Sequence, residues 1–292
     1  MTEEVRQALQ ICPQELRRQI MEFPLQKPLE EVRLRLGRPV QLYTEDGETV
    51  LPKQRVTREL LQQVLSLATE HSIYAAQATM CQGFLTVTGG HRLGLCGLGV
   101  QKEGQITALR ELSSMNLRIA RQIIGCGEQA ADWLWIRPRS TLLIGPPARG
   151  KTTLLRDLIR LLSDRFSWRI CVVDERRELG CCVNGLPQFD LGAHTDILTG
   201  IGKAQGIEML LRTMNPQWIA LDEITATADI EAIVRASYCG VSFLATAHAA
   251  AMAELRSRPI YRQLLEAQVF ENIITILPDR SLRMERVQLC SK

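Results

Sequence analysis

At 292 residues, 46% of them hydrophobic, the chain exceeds one typical domain and carries enough apolar material for two cores. Its 35 Lys and Arg against 32 Asp and Glu leave a formal net charge of +3, and 5% of residues are aromatic, which weighs against a strongly basic nucleic-acid domain with stacking platforms but not against a local basic patch. Nine scattered cysteines without a C-x-x-C pair do not make a secreted disulfide framework, no apolar run approaches the roughly 18 residues of a membrane span, and Glu3 and Glu4 stand where a signal peptide would be basic, so the expectation is a cytoplasmic protein with reduced thiols.

Val5, Leu9, Leu16 and Ile20 recur at roughly helical spacing, interrupted at Pro13, and predict two short helices within residues 1–22. From Glu31 to Leu36, Val32, Leu34 and Leu36 alternate with Arg33 and Arg35, the pattern of a half-buried strand. Gly37-Arg38-Pro39 turns the chain, Val40 to Tyr43 returns as a second strand, and Glu45 to Glu48 makes another turn. Thr57 is an N-cap for a helix with Leu60, Leu61, Val64, Leu65 and Ala68 on its inner face. Phe84–Thr88 and His91–Cys96, separated by Gly89-Gly90, read as a hairpin. These elements predict a small α+β amino-terminal domain over residues 1–110. Residues 111–137 read as a helical connector, with a helical stretch from Glu128 to Trp135.

The remainder, 138–292, is organised around Gly145-Pro146-Pro147-Ala148-Arg149-Gly150-Lys151-Thr152-Thr153. This G-x-x-x-x-G-K-T run sits between an apolar strand, Thr141 to Ile144, and a helix starting Leu154-Leu155, the context a phosphate-binding loop requires. Gly145 and Gly150 permit backbone conformations in which successive N–H groups point at phosphate oxygens, and the helix adds its positive end. By position in the motif, Lys151 reaches the β- and γ-phosphates of ATP and the Thr152 hydroxyl ligates Mg²⁺. Strands are then predicted at Arg169–Val173, Trp218–Leu221, Val241–Thr246 and Ile273–Leu277, with helices at Lys203–Met214 and Asp229–Tyr238 between them. Strands separated by helices predict a parallel sheet covered on both faces, an α/β domain of the RecA-like P-loop ATPase class.

Ligands of such sheets bind beyond the carboxyl ends of the strands, and three strands carry polar groups there. Asp222-Glu223 after an apolar strand is the Walker B arrangement, with Asp222 holding Mg²⁺ and Glu223 polarising the attacking water. Asp174 and Glu175 form a second acidic pair, and Glu175 is a catalytic candidate. Glu178 reads almost equally as an ion-pair partner of Arg176 or Arg177. His248 reads either as a sensor of the γ-phosphate or as a packed, hydrogen-bonded residue. No Cys and His cluster has metal-ligand spacing, so protein-ligated zinc is not expected.

Leu211 to Glu223 resembles the "LR…P…DE" segment of the secretion ATPases, the hexameric motors of type II and type IV secretion and pilus machines. Val173 to Glu178 resembles their Asp box, and Thr246-Ala247-His248-Ala249 their His box. Gly89-Gly90-His91-Arg92-Leu93-Gly94, Asn116 to Ala120, Val173 to Arg176, and Leu255-Arg256-Ser257-Arg258-Pro259 are similar to the stage III sporulation protein AA family of endospore-forming bacteria, a likeness that runs over nearly the whole chain. The resemblance implies an ATPase on the mother-cell side of a sporulation channel complex, working as a homo-hexamer with membrane proteins and attached to the membrane through them. It implies an arginine that completes the nucleotide site, for which Arg92 and Arg118 are the positional candidates. Ala148, Arg149 and Ala249 depart from residues common among relatives. Two other readings stay open at this point: a RecA-like translocase on nucleic acid, and a nucleotide-gated scaffold with little turnover.

Overall fold

A computed structural model describes residues 2–70, 72, 77, 79–147 and 149–287. The chain divides into two compact units. One holds the residues up to Arg121 together with Cys181–Gln188; the other holds Gln122–Gly180 and the residues from Phe189 onward.

In the first unit, α1 (Glu3–Ala8), a short 3-10 turn (Leu9–Ile11) and α2 (Gln14–Glu22) are separated by the break at Pro13. Proline lacks the N–H that a continuous helix would use there. Arg17 satisfies the carbonyls left over, donating to Leu9 O at 3.1 Å, Gln10 O at 2.9 Å and Cys12 O at 3.1 Å. Helix α3 (Arg58–Ala68) is capped as predicted, the Leu60 N–H donating to Thr57 Oγ1 at 3.2 Å. Six strands, β1 (Glu31–Arg35), β2 (Pro39–Thr44), β3 (Gly47–Arg55), β4 (Phe84–Val87), β5 (His91–Lys102) and β6 (Gln105–Arg118), form one antiparallel sheet in the order β3-β2-β1-β6-β5-β4. Val32, Leu34, Val40, Leu42, Leu93, Leu95, Met115 and Leu117 enter the core from alternating strand positions, burying one face of the sheet beneath the helices.

This arrangement corrects the expected helical connector over 111–137. Residues 111–118 are the end of β6, paired with both β1 and β5. The burial of Met115 and Leu117, two apart, is a strand period rather than a helical one. Only α4 (Glu128–Ile136) is helical, and it belongs to the second unit, as does the rest of this stretch from Gln122. The division near residue 110 is therefore corrected to Arg121, and Cys181–Gln188, expected with the ATPase domain, joins the first unit. There the Gly89 N–H donates to Gln188 Oε1 at 2.8 Å.

The second unit is a seven-stranded sheet, β7 (Thr141–Gly145), β8 (Ile170–Asp174), β9 (Thr195–Thr199), β10 (Trp218–Leu221), β11 (Ser242–His248), β12 (Asn272–Ile276) and β13 (Leu282–Arg286), in the order β13-β12-β7-β11-β10-β8-β9. Every neighbouring pair is parallel except the last hairpin, β12 with β13. Cys171 and Val173 face one core cluster while Ile170 and Val172 face another, which is why the strands read as unbroken apolar runs. Helix α5 (Lys151–Phe166) follows β7, with α6 (Lys203–Thr213), α7 (Thr227–Ser237), α8 (Met252–Ser257) and α9 (Pro259–Glu266) further along the chain. Strands β9 and β13 lie at the two edges of the sheet and lack the apolar runs of the central strands, so β12 is the last fully buried strand.

Candidate nucleotide site

Parallel strands in step deliver their following residues to one edge. Ala247 lies opposite Ile144 and His248 opposite Gly145, while Leu221 lies opposite both Val173 and Ala245. Asp222, one residue on, is thus level with Asp174 and Thr246.

The loop after β7 begins at Gly145, where a Cβ would come within 3.3 Å of the Ile276 side chain and 3.4 Å of its carbonyl oxygen. Gly150, at φ +86°, takes the left-handed turn that starts α5. The first helical N–H groups have no intrahelical acceptor, and no side chain caps them. Lys151 is buried and its ammonium folds back on its own loop, donating to Gly145 O at 2.9 Å and Pro146 O at 2.8 Å, 3.2 Å from His248 Nδ1. Burial pushes its pKa down, against the pull of the Asp222 and Glu223 charges. Exposed Arg149 reaches Pro278 O at 3.4 Å. Ala148 lies outside the described residues. Pro147 belongs to the same turn, and Thr153, in the first turn of α5, accepts from Cys126 Sγ at its carbonyl at 3.8 Å.

Beside Lys151, the Thr152 hydroxyl donates to Asp222 Oδ2 at 2.7 Å and the Thr246 hydroxyl to Asp222 Oδ1 at 2.6 Å. Glu223 has the unusual φ of +53° and both of its carboxylate oxygens are engaged: Oε1 lies 2.8 Å from His248 Nε2, and Oε2 pairs with Arg176. Lys151, Thr152, Asp222, Glu223 and His248 are therefore one connected cluster.

Asp174 stands apart from that cluster in role. Its buried carboxylate accepts the N–H groups of Glu178 (2.8 Å), Leu179 (3.1 Å) and Gly180 (2.9 Å), which fixes the loop leaving β8. Burial nonetheless raises its pKa, outweighing those donors, and the nearby Asp222 charge adds to the rise. Buried Arg156 clasps the same loop, donating to Leu179 O at 2.8 Å and Glu178 O at 2.6 Å, with the Phe189 ring 4.2 Å beneath it. Glu175 pairs with buried Lys203, and Arg176 goes to Glu223 rather than to Glu178. Thr246 falls within the segment similar to a His box and Arg176 within the one similar to an Asp box, yet sequence reasoning gives Thr246 no role of its own, gives Arg176 only Glu178 as a partner, and marks Lys203 only as the start of a helix. The two cations are joined to their carboxylates only through the tertiary fold.

Arg92 and Arg118 belong to the first unit, where they form a register pair on β5 and β6. The Arg92 guanidinium lies 3.7 Å over the Phe84 ring, and Arg118 Nε lies 3.4 Å from Glu31 Oε1. Arg33, 2.9 Å from Glu31, and Asn116, donating to it at 3.2 Å, complete a polar face opposite the core.

The donor set at the strand edge suits a magnesium ion. A threonine hydroxyl and an aspartate carboxylate stand side by side as hard oxygen ligands, two of the six that magnesium takes, the rest being of the kind that waters and phosphate oxygens supply. Among the described residues no group of three or more His, Cys, Asp and Glu would hold a metal by itself. The residues present fit a cation that arrives with phosphates.

Comparison with solved structures gives the fold. The chain is similar to the pilus retraction motor PilT with bound ADP, with a TM-score of 0.61 at 15% identity over 93% of this chain and 83% of that one. It is similar to the ATPase DotB of Yersinia pseudotuberculosis, with a TM-score of 0.57 at 15% identity over 94% and 79% of the two chains. The α/β architecture with a smaller α+β amino-terminal unit is thus the fold that the chain shares with these two proteins. Among curated proteins, stage III sporulation protein AA of Bacillus subtilis is 35% identical over 277 residues, 91% of this chain and 89% of that protein. The family model described as "Sporulation stage III, protein AA" matches residues 2–284, and the chain belongs to that family.

Proposed function

We propose that the chain is an ATP-hydrolysing motor subunit of a sporulation-associated channel complex, working at the membrane as a homo-hexamer with membrane-protein partners and with no specific nucleic acid. The observation that carries this reading is the continuous chain of contacts from Lys151 through His248, Glu223 and Asp222 to Thr152, set at the start of α5. The loop Gly145–Thr153 supplies backbone N–H groups and the Lys151 ammonium to the phosphates, so that Lys151 exchanges two carbonyls of its own loop for phosphate oxygens. Thr152 and Asp222 would hold Mg²⁺, and the ion would supply positive charge to offset that of the phosphates. Glu223 accepts a proton from the attacking water as the terminal phosphoanhydride bond breaks, giving ADP and phosphate. His248 contacts both Lys151 and Glu223 and so reports phosphate occupancy to the base. Glu175, anchored by Lys203, serves as a second acidic group of the site, and Arg92 and Arg118 supply positive charge to the γ-phosphate.

A hollow of about 270 Å³ beside Gly150 and Thr153, walled by Ile123, Ile276 and Leu282 with Arg149 and Arg280 at its sides, supports the assignment. Its apolar wall and flanking guanidiniums are suited to a purine ring. Measured ATP hydrolysis of the wild type beside Lys151→Ala and Glu223→Gln tests the reading. The alanine variant is expected to lose ATP binding, and the glutamine variant to bind ATP and hydrolyse it slowly. Turnover indifferent to both substitutions would overturn the reading.

A further inference from the structure

Thr246 is fully buried near the end of β11 and is joined to both members of the acidic pair through one atom. Its Oγ1 lies 2.6 Å from Asp222 Oδ1 and 2.7 Å from the backbone nitrogen of Glu223. The directions of these bonds follow from valence. An amide N–H can only donate, so the hydroxyl accepts from Glu223, and its own proton is left for the Asp222 carboxylate. Thr246 also holds the next residue, its carbonyl accepting the Ile224 N–H at 3.0 Å, while the Ile224 carbonyl accepts from the Tyr261 hydroxyl at 3.1 Å. Glu223 itself sits at φ +53°, a region that a non-glycine residue occupies only when its surroundings impose it.

We infer that Thr246 is the positioning residue of this site: one buried hydroxyl sets the rotation of the Asp222 carboxylate toward the metal position and pins the strained Glu223 peptide that aims the base. The inference rests on the proposed ATPase reading and adds to it the element that orients its two carboxylates. The contacts divide cleanly. Thr152 holds Asp222 Oδ2 from the side of the phosphate loop, and Thr246 holds Oδ1 from the neighbouring strand. With both oxygens tied, the carboxylate plane is fixed before metal binds. A metal-coordinating shell prepared in this way avoids reorganisation when the cation arrives.

The test compares Thr246→Val, which keeps the β-branched shape and removes the hydroxyl, with Thr246→Ser, which keeps the hydroxyl. The first measurement is hydrogen exchange of the Glu223 amide in nucleotide-free protein, which depends on no ligand. Exchange is expected to quicken by about tenfold or more in the valine variant and to stay within about twofold of wild type in the serine variant. The second is Mg²⁺ dependence. The half-saturating Mg²⁺ concentration for binding a fluorescent ATP analogue is expected to rise about tenfold in the valine variant, and kcat to fall about ten- to a hundredfold. Analogue binding without Mg²⁺ and the KM for ATP should change by less than about threefold, since the phosphate loop is untouched. Unchanged Glu223 exchange in the valine variant, or a serine variant as impaired as the valine, would overturn the inference while leaving the ATPase reading standing. If exchange responds as expected but wild type neither binds nor hydrolyses ATP, the ATPase reading falls and the positioning role with it.

Discussion

The two sheets bring polar side chains together by different means. In the parallel sheet, β8, β10 and β11 carry polar residues at their carboxyl ends, and the common direction of the strands gathers those ends at one edge with the start of the glycine loop: Gly145 beside His248, and Asp222 level with Asp174 and Thr246. In the antiparallel sheet, the polar face is made by register across strands far apart in sequence. Arg92 lies opposite Arg118, and Arg118 opposite Glu31, with Glu31 opposite Tyr43. A site of the first kind is written as local motifs. A site of the second kind is spread over the chain as single residues and is assembled only by pairing.

The largest effect is expected where this contrast bears on function. If Arg92 and Arg118 supply charge to the γ-phosphate, Arg92→Ala or Arg118→Ala should lower kcat by about a thousandfold, the size of effect of a transition-state arginine, with analogue binding little changed. Arg33→Ala is the control, since Arg33 shares Glu31 but lies opposite Asn116, two register pairs away from Arg118. An equal loss on removing Arg33 would mean that the general positive charge of the face matters and the register pair does not.

The cores offer the next comparison. Phe243 is fully buried in the parallel sheet and Leu93 in the antiparallel one. Phe243→Ala is expected to destabilise by roughly 3–5 kcal/mol and Leu93→Ala by roughly 2–5 kcal/mol, measured by urea unfolding. A value near zero at either position would show that its core repacks freely.

A smaller effect concerns pH, and it separates the units because it lies in the first alone. His91 is buried, its Nδ1 accepts the Ala120 N–H at 3.1 Å, and burial pushes its pKa down from 6.5 to about 4, with Glu4 opposing. The unfolded chain takes up a proton on this group near pH 6.5, whereas the folded chain resists until about pH 4. The stability present above pH 6.5 is therefore lost as pH falls toward 4, by about 3 kcal/mol across that interval. Urea midpoints at pH 7 and pH 5 should show the loss, and His91→Gln should flatten the slope. The smallest effect is at Thr57, where replacing the cap with alanine is expected to cost about 1 kcal/mol of stability.

Much of the second unit was legible before any coordinates. The strands at Thr141–Gly145, Ile170–Asp174, Trp218–Leu221 and Ser242–His248 are fully or mostly buried, and only continuous apolar runs satisfy burial on both faces. The edge strands Thr195–Thr199 and Leu282–Arg286 were not legible, because an edge position relaxes that demand and leaves a mixed sequence. The reading of 111–118 as helical failed for a related reason. Met115 and Leu117 carry the alternation, and their flanking polar residues obscure it until β1 and β5 pair on either side.

What the residues alone determined was the glycine loop Gly145–Thr153 between its strand and helix, the acidic pair Asp222-Glu223 and the strand-end placement of His248, since each is a contiguous run set by its neighbours. Only the tertiary structure decided that Arg176 takes Glu223, that Lys203 takes Glu175, that Cys181–Gln188 folds with the first unit, and that the Thr246 hydroxyl ties Asp222 to Glu223. These partners are separated by tens of residues. A side chain's hydrogen-bond capacity is inherent in its type, whereas the group that meets it is chosen by strand register and burial.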